Sequence, residues 1–213
     1  MMLSQLCLFV ASLFMADQPN IIVFLVDDLG WQDTSVPFHS EMTPFNALYS
    51  TPNWERLAAN GTKYTNAYAA GPVCTPSRTS LLTGQSPARS HITYWTLYKD
   101  KDNSTKHPTL TSPRWDLDAL QPGEVTLPSL LKEAGYHTIH VGKAHLGAVD
   151  SPGSDPTNLG FDVNVAGHGA GGPGSFYGTH HFMATRDKMD FNDHKIWDVP
   201  GLEKYHGQEI FLS

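Results

Sequence analysis

The sequence predicts an α/β fold with a mostly parallel central sheet flanked by helices, and three observations carry that expectation. Residues 20–29 form a near-continuous apolar run, Ile21 to Val26, that closes on Asp27 and Asp28. A strand buried on both faces reads this way in sheets covered by helices. Residues 52–60 read as a helix, with Thr51 as cap, Pro52 in the first turn and Gly61 beyond the end. Strand and helix then alternate along the chain. A strand over 62–69 leads towards Cys74, and the run to Leu82 reads as a short helix with Thr75 as its cap, Pro76 in its first turn and Gly84 as its stop. A helix over 127–134 lies between a Thr126 cap and Gly135, and a β-branched strand over 136–141 follows. That alternation is the pattern of a parallel sheet.

Open sheets of this kind bind ligands beyond the carboxyl ends of their strands. Asp27, Asp28, Cys74 and Lys143 all fall at or just after expected strand ends, which places them on one rim. The polar stretch 98–124 reads as a surface insertion. Beyond Asp150, Gly and Pro dominate, and no internal repeat or heptad is visible.

Of the 213 residues, 40% are hydrophobic and 16% charged, enough for one sizeable core. The formal net charge of −7 argues against a nucleic-acid partner, which calls for a basic face. Residues 6–16 are apolar but too short to span a bilayer. They resemble the core of a secretory signal peptide, dividing the chain into a leader over 1–16 and a domain over 17–213, and implying an exported protein. Phe14 and the absence of a preceding Lys or Arg depart from that pattern. A buried first strand and a misplaced start codon are the alternatives. Removal of the leader takes Cys7 with it and leaves Cys74 alone, without a disulfide framework. Asn60-Gly61-Thr62 and Asn103-Ser104-Thr105 are glycosylation sequons.

The richest stretch runs from Cys74-Thr75-Pro76-Ser77-Arg78 to Leu82-Thr83-Gly84. A cysteine before a short helix reads, by itself, as a buried structural thiol. The whole run, however, resembles the signature C-x-P-S-R-x-x-x-L-T-G of the type I sulfatases, members of the alkaline-phosphatase-like superfamily, at every fixed position. The resemblance implies that a formylglycine-generating enzyme oxidises Cys74 to formylglycine, an aldehyde that hydrates to a geminal diol. One hydroxyl would attack the sulfur of a sulfate ester, and the second would lose its proton and expel sulfate, dividing one hard step into two. Arg78 would hold the diol or the ester by charge-assisted bonds.

Asp27 and Asp28 alone read as a solvated acidic turn. In sulfatases such a pair supplies metal ligands, so the resemblance makes them, with the modified Cys74, ligands of Ca²⁺, or of Mg²⁺. Residues 135–147, Gly135-Tyr136-His137-Thr138 through Gly142-Lys143-Ala144-His145-Leu146-Gly147, resemble the family's second signature, G-Y-x-T-x-x-x-G-K-W-H-L-G. Lys143 would then contact both formylglycine and sulfate, and His145 would take the diol proton. Ala144 departs from the usual aromatic residue, which implies altered packing beneath the loop or room for a bulkier substrate. Gly167 to Gly172 reads as a flexible loop, His180 and His181 as partly buried beside Phe182 and within reach of a sugar or a leaving group, and Asp190, Asp193 and His194 as a solvated turn.

The resemblance covers the amino-terminal half of a typical sulfatase and implies a sulfuric ester hydrolase, with a sulfated small molecule or glycan as substrate. The family's later Asp-Asn or Asp-His pair, a further lysine and a leaving-group histidine match no segment here. The expectation is therefore a piece of a longer protein or a truncated product. The latter would have a half-built metal site whose stability EDTA leaves unchanged. A phosphonate or phosphate monoester hydrolase of the same fold, and a non-catalytic remnant, are the rival readings.

Overall fold

A computed structural model describes residues 18–95, 97–99, 107–111, 119–182 and 200–210. The expected leader, Cys7, the Asn103 sequon and the group Asp190, Asp193 and His194 lie outside these residues. The chain forms two compact units, Met1–Thr65 and Asn66–Ser213.

The first unit is held by polar side chains more than by apolar ones. Asn46 is fully buried and bonded at both ends of its amide: its NH₂ donates to the Thr34 carbonyl at 2.9 Å, and its Oδ1 accepts from the Thr43 N–H at 3.0 Å and hydroxyl at 2.9 Å. Such satisfaction is what makes a buried amide tolerable. Helix α1 spans Pro52–Asn60, as expected. Thr51 does not cap it with its side chain, because that hydroxyl is already spent on the Ser35 hydroxyl at 2.7 Å and the Ser35 N–H at 3.0 Å.

The expected strand over 20–29 is not formed among the described residues. Residues 18–26 run without ladder hydrogen bonds and turn at Asp27 and Asp28. Apolar content makes a strand favourable only where a neighbour accepts its backbone groups, and here Ile22 remains 88% and Phe24 80% exposed. The expected strand over 62–69 is likewise absent.

In the second unit, α2 spans Cys74–Thr83 and ends on Gly84 in the left-handed conformation at φ 66°. The helix begins two residues earlier than the Thr75 cap implied. Val73 is its cap, while Thr75 and Pro76 lie in the first turn, buried. Pro76 costs nothing there, since the first turn's N–H groups have no intrahelical acceptor. A four-residue turn, α3, covers Pro87–Ser90, and α4 spans Leu127–Glu133.

Thr126 and Ser129 form a reciprocal capping box on α4: Ser129 N–H to Thr126 Oγ1 at 3.2 Å, and Thr126 N–H to Ser129 Oγ at 2.9 Å. The Thr126 hydroxyl also donates to the Leu159 carbonyl at 2.6 Å, anchoring the helix start. Two strands, β1 (Ile139–Val141) and β2 (Val163–Val165), pair in parallel with Ile139 opposite Val163. The strand expected over 136–141 is thus three residues long, and its first residues serve as the turn out of α4. Asp162 fastens that turn, meeting Lys132 at 2.6 Å and accepting from the Thr138 N–H at 2.9 Å.

Ile92, Leu120, Ala144, Leu146 and Leu159 make the main core, with Leu82 of α2 packed on it. Leu120 corrects the reading of 98–124 as a surface insertion. It is wholly buried, and its N–H bonds the Leu146 carbonyl at 3.1 Å, so the far end of that stretch is structural. A second cluster joins Phe182 and Leu202, with Val165, Ala166, Tyr205 and Ile210 against it.

Candidate active site

Two short loops build the described site within the second unit. Cys74 opens α2, and Arg78 follows one turn later on the same helical face. Lys143 leaves β1 after Gly142, whose φ of 91° turns the chain and whose N–H is held by the Val165 carbonyl at 2.8 Å. A side-chain residue would be strained at that φ, so glycine there is a backbone requirement.

These elements put the two sequence signatures in contact. Lys143 Nζ donates to Cys74 Sγ at 3.1 Å, and Arg78 Nη1 donates to the Lys143 backbone carbonyl at 2.6 Å. The ammonium therefore sits on the thiol while the guanidinium fixes the backbone that carries it. All three side chains are half-buried, where charge interactions exceed their worth in bulk water. Cys74 also starts a ten-residue helix, where free N–H groups and the dipole favour negative charge.

His145 is buried, at 3% exposure, and adopts φ 51°. Its N–H donates to the His168 carbonyl at 3.1 Å. The Trp95 ring lies against its imidazole, with centroids 5.8 Å apart at 60°. His140, on β1, is held below the ordinary histidine range, first by burial and further by the nearby Arg78, with Asn164 opposing the shift. Burial lowers His168 in the same way.

Ala144 is 1% exposed and belongs to the main core, so the departure at this position bears on packing beneath the loop. His180 and His181 are exposed, not partly buried as the neighbouring Phe182 implied; His180 Nδ1 meets the Ser175 hydroxyl at 2.9 Å, and no link joins them to Lys143 among the described contacts. Trp95 was missed by sequence reasoning, and a lone aromatic before a polar stretch gives no signal for it.

In the first unit, Asp27 and Asp28 are exposed, and Asp28 takes φ 55° at the turn. Ligand oxygens of the two carboxylates lie within 4.8 Å of each other. Calcium binds oxygens at about 2.3–2.6 Å, so a single ion fits between them.

A family described as Sulfatase matches residues 19–188 of the chain. N-acetylgalactosamine-6-sulfatase of Homo sapiens is 34% identical over 183 residues, which are 86% of this chain and 30% of that protein. Steryl-sulfatase of Homo sapiens is 37% identical over 62% of this chain and 20% of its own length. A sulfatase of Formosa agariphila is 34% identical over 71% of this chain and 27% of its own. Among solved structures, the crystal structure of Ps i-CgsB superimposes with a TM-score of 0.50 at 25% identity, covering 88% of this chain and 36% of that one. The chain belongs to the sulfatase family and has its α/β fold. It spans about 30% of the length of the N-acetylgalactosamine-6-sulfatase it matches.

Proposed function

We propose that this chain carries the nucleophile-bearing part of a sulfuric ester hydrolase. The observation that supports it most is the 3.1 Å contact between Lys143 Nζ and Cys74 Sγ, which joins two signatures 69 residues apart. A half-buried lysine resting on an ordinary structural thiol has no evident packing purpose. The same lysine beside a reacting group would balance the anionic oxygens of a sulfate ester.

Oxidised to formylglycine, position 74 would supply an aldehyde hydrate as nucleophile. Lys143 and Arg78 would bind and orient the ester, and their cationic side chains offset the chain's net charge of −7 at the site. His145 would hold the proton released when sulfate leaves. Asp27 and Asp28 would hold Ca²⁺, whose chemistry is to neutralise sulfate oxygens. The oxygen donors suit a hard cation, Mg²⁺ included. A sulfated carbohydrate is the proposed substrate class, supported by the name of a relative that matches 86% of this chain, an N-acetylgalactosamine-6-sulfatase. Export, with a leader over 1–16, is part of the same reading; among the described residues no helix is long and apolar enough to cross a membrane.

The deciding experiment combines peptide mass and turnover on protein from its native host. Conversion of Cys74 lightens the tryptic peptide Tyr64 to Arg78 by roughly one water mass, thiol lost and aldehyde gained. The preparation should then hydrolyse an aryl sulfate in preference to the matching aryl phosphate. An unconverted peptide with no turnover would leave a non-catalytic remnant. Preference for phosphate would make it a phosphate or phosphonate monoester hydrolase.

A further inference from the structure

The glycine-rich stretch 167–172 is packed, not loose. A Cβ at Gly169 would lie 2.7 Å from the Val149 backbone nitrogen, and one at Gly167 would lie 2.7 Å from His140 Nδ1. Both glycines let main chain pass where a side chain would collide. His168 between them accepts the Ala170 N–H on Nδ1 at 3.0 Å and presents its carbonyl to the His145 N–H. The stretch thus grips the loop that carries Lys143 and His145.

Gly171 differs from its neighbours. A Cβ there would stand 3.2 Å from His145 Cε1, 3.3 Å from its Nδ1 and 3.9 Å from Lys143 Nζ. The constraint falls on functional side chains, and φ at this position suits any residue. Trp95 supplies a second surface against the same imidazole. The His145 backbone is in the left-handed region, which a non-glycine residue keeps only when its surroundings over-determine it.

We propose that Gly171 and Trp95 are positioning residues that seat the His145 imidazole. Gly171 gives the ring space while leaving Lys143 uncovered, and Trp95 bounds the ring's tilt. The catalytic meaning of this seat rests on the sulfatase reading; the seat itself does not. A methyl at 171 must displace the ring or the loop by a few tenths of an ångström. Such a shift costs less than the roughly 100-fold of a 1 Å misplacement, so about tenfold in kcat is expected, with KM within about twofold.

The test uses the full chain with Gly171→Ala, Trp95→Leu and Trp95→Phe. The ring protons of His145, identified by their loss in His145→Gln, are followed by NMR at one fixed pH. Gly171→Ala and Trp95→Leu should each move those resonances without lowering the melting temperature. Trp95→Phe, which keeps an aromatic surface, should restore most of the turnover. Folded Gly171→Ala and Trp95→Leu proteins with unmoved His145 resonances would overturn the proposal. If Gly171→Ala fails to fold, the two Trp95 variants decide it alone. Shifted resonances in a parent that hydrolyses no sulfate ester would uphold the seat and sink the sulfatase reading.

Discussion

Lys143 performs two separable tasks, one with its ammonium and one with its backbone. The ammonium rests on Cys74, while the backbone carbonyl receives Arg78. Removing either cation should therefore damage turnover in different ways. Lys143→Met removes charge from the site and should lower kcat by about 100-fold or more, as loss of one stabilising donor does. Arg78→Lys keeps a charge but loses the planar fork and its reach, and should recover little of the activity lost in Arg78→Met. Steady-state kinetics on a converted preparation checks both, and wild-type kcat in Lys143→Met would remove Lys143 from the mechanism. The residues of this cluster were legible in the sequence because side-chain chemistry and spacing both constrain them. Trp95 and Gly171 were not, because their role comes from loops that meet only after folding.

At the scale of elements, α4 is fixed at both ends by specific bonds. Thr126 caps the helix and reaches across to Leu159, so Thr126→Val should cost about 1–2 kcal/mol, the usual range for a lost cap, in urea unfolding. Gly160 lies at φ 100°, and a Cβ there would sit 2.5 Å from the Ser129 nitrogen of the capping box. Gly160→Ala should consequently cost about 2–4 kcal/mol, through strain and collision together. Equal stability of wild type and Gly160→Ala would mean that the helix start is not seated there.

The other end of α4 depends on Asp162. Lys132, first, and then the Thr138 backbone hold its carboxyl well below the usual carboxylate range. Its stabilisation is present above the unfolded carboxylate pKa and fades as pH falls below it. Asp162→Asn should therefore weaken the fold at neutral pH and make the acid limb of the stability curve less steep. Elements with local signals were readable: α1, α2 and α4 each carry Pro or Thr at the start and Gly at or just past the end. The strands were not. A strand is defined by its partner, and the apolar run before Asp27 carries no mark of whether one is present. β1 shortened for a related reason, since Tyr136 to Thr138 spend their backbone on the turn out of α4 and on Asp162.

For the molecule as a whole, two partly buried histidines set a direction of pH dependence. His140 and His168 are both held below the ordinary histidine value in the folded chain, chiefly by burial. Above an unfolded pKa of about 6.5, both states are neutral and the histidines contribute nothing to the balance. As pH falls through that value the unfolded chain gains protons first, so stability is lost. Thermal melts from pH 8 to pH 5.5 should show a falling midpoint, with a smaller fall in His140→Gln. A flat profile would mean that neither ring is shielded from water. The fold class was legible at this scale because helix and strand signals alternate along the chain, whereas β2 was not, since periodicity fades beyond Asp150.

The segment Ile21-Ile22-Val23-Phe24-Leu25-Val26 has no charge, no proline and no glycine, and its side chains are 37–88% exposed. Six residues of that character are enough to stack as a cross-β zipper between chains. Concentration, more than temperature, should thus limit how the isolated chain can be handled. Light scattering of wild type should rise with protein concentration and time at neutral pH. A Val23→Lys gatekeeper, which breaks the run without touching Cys74, Arg78, Lys143 or His145, should abolish that rise.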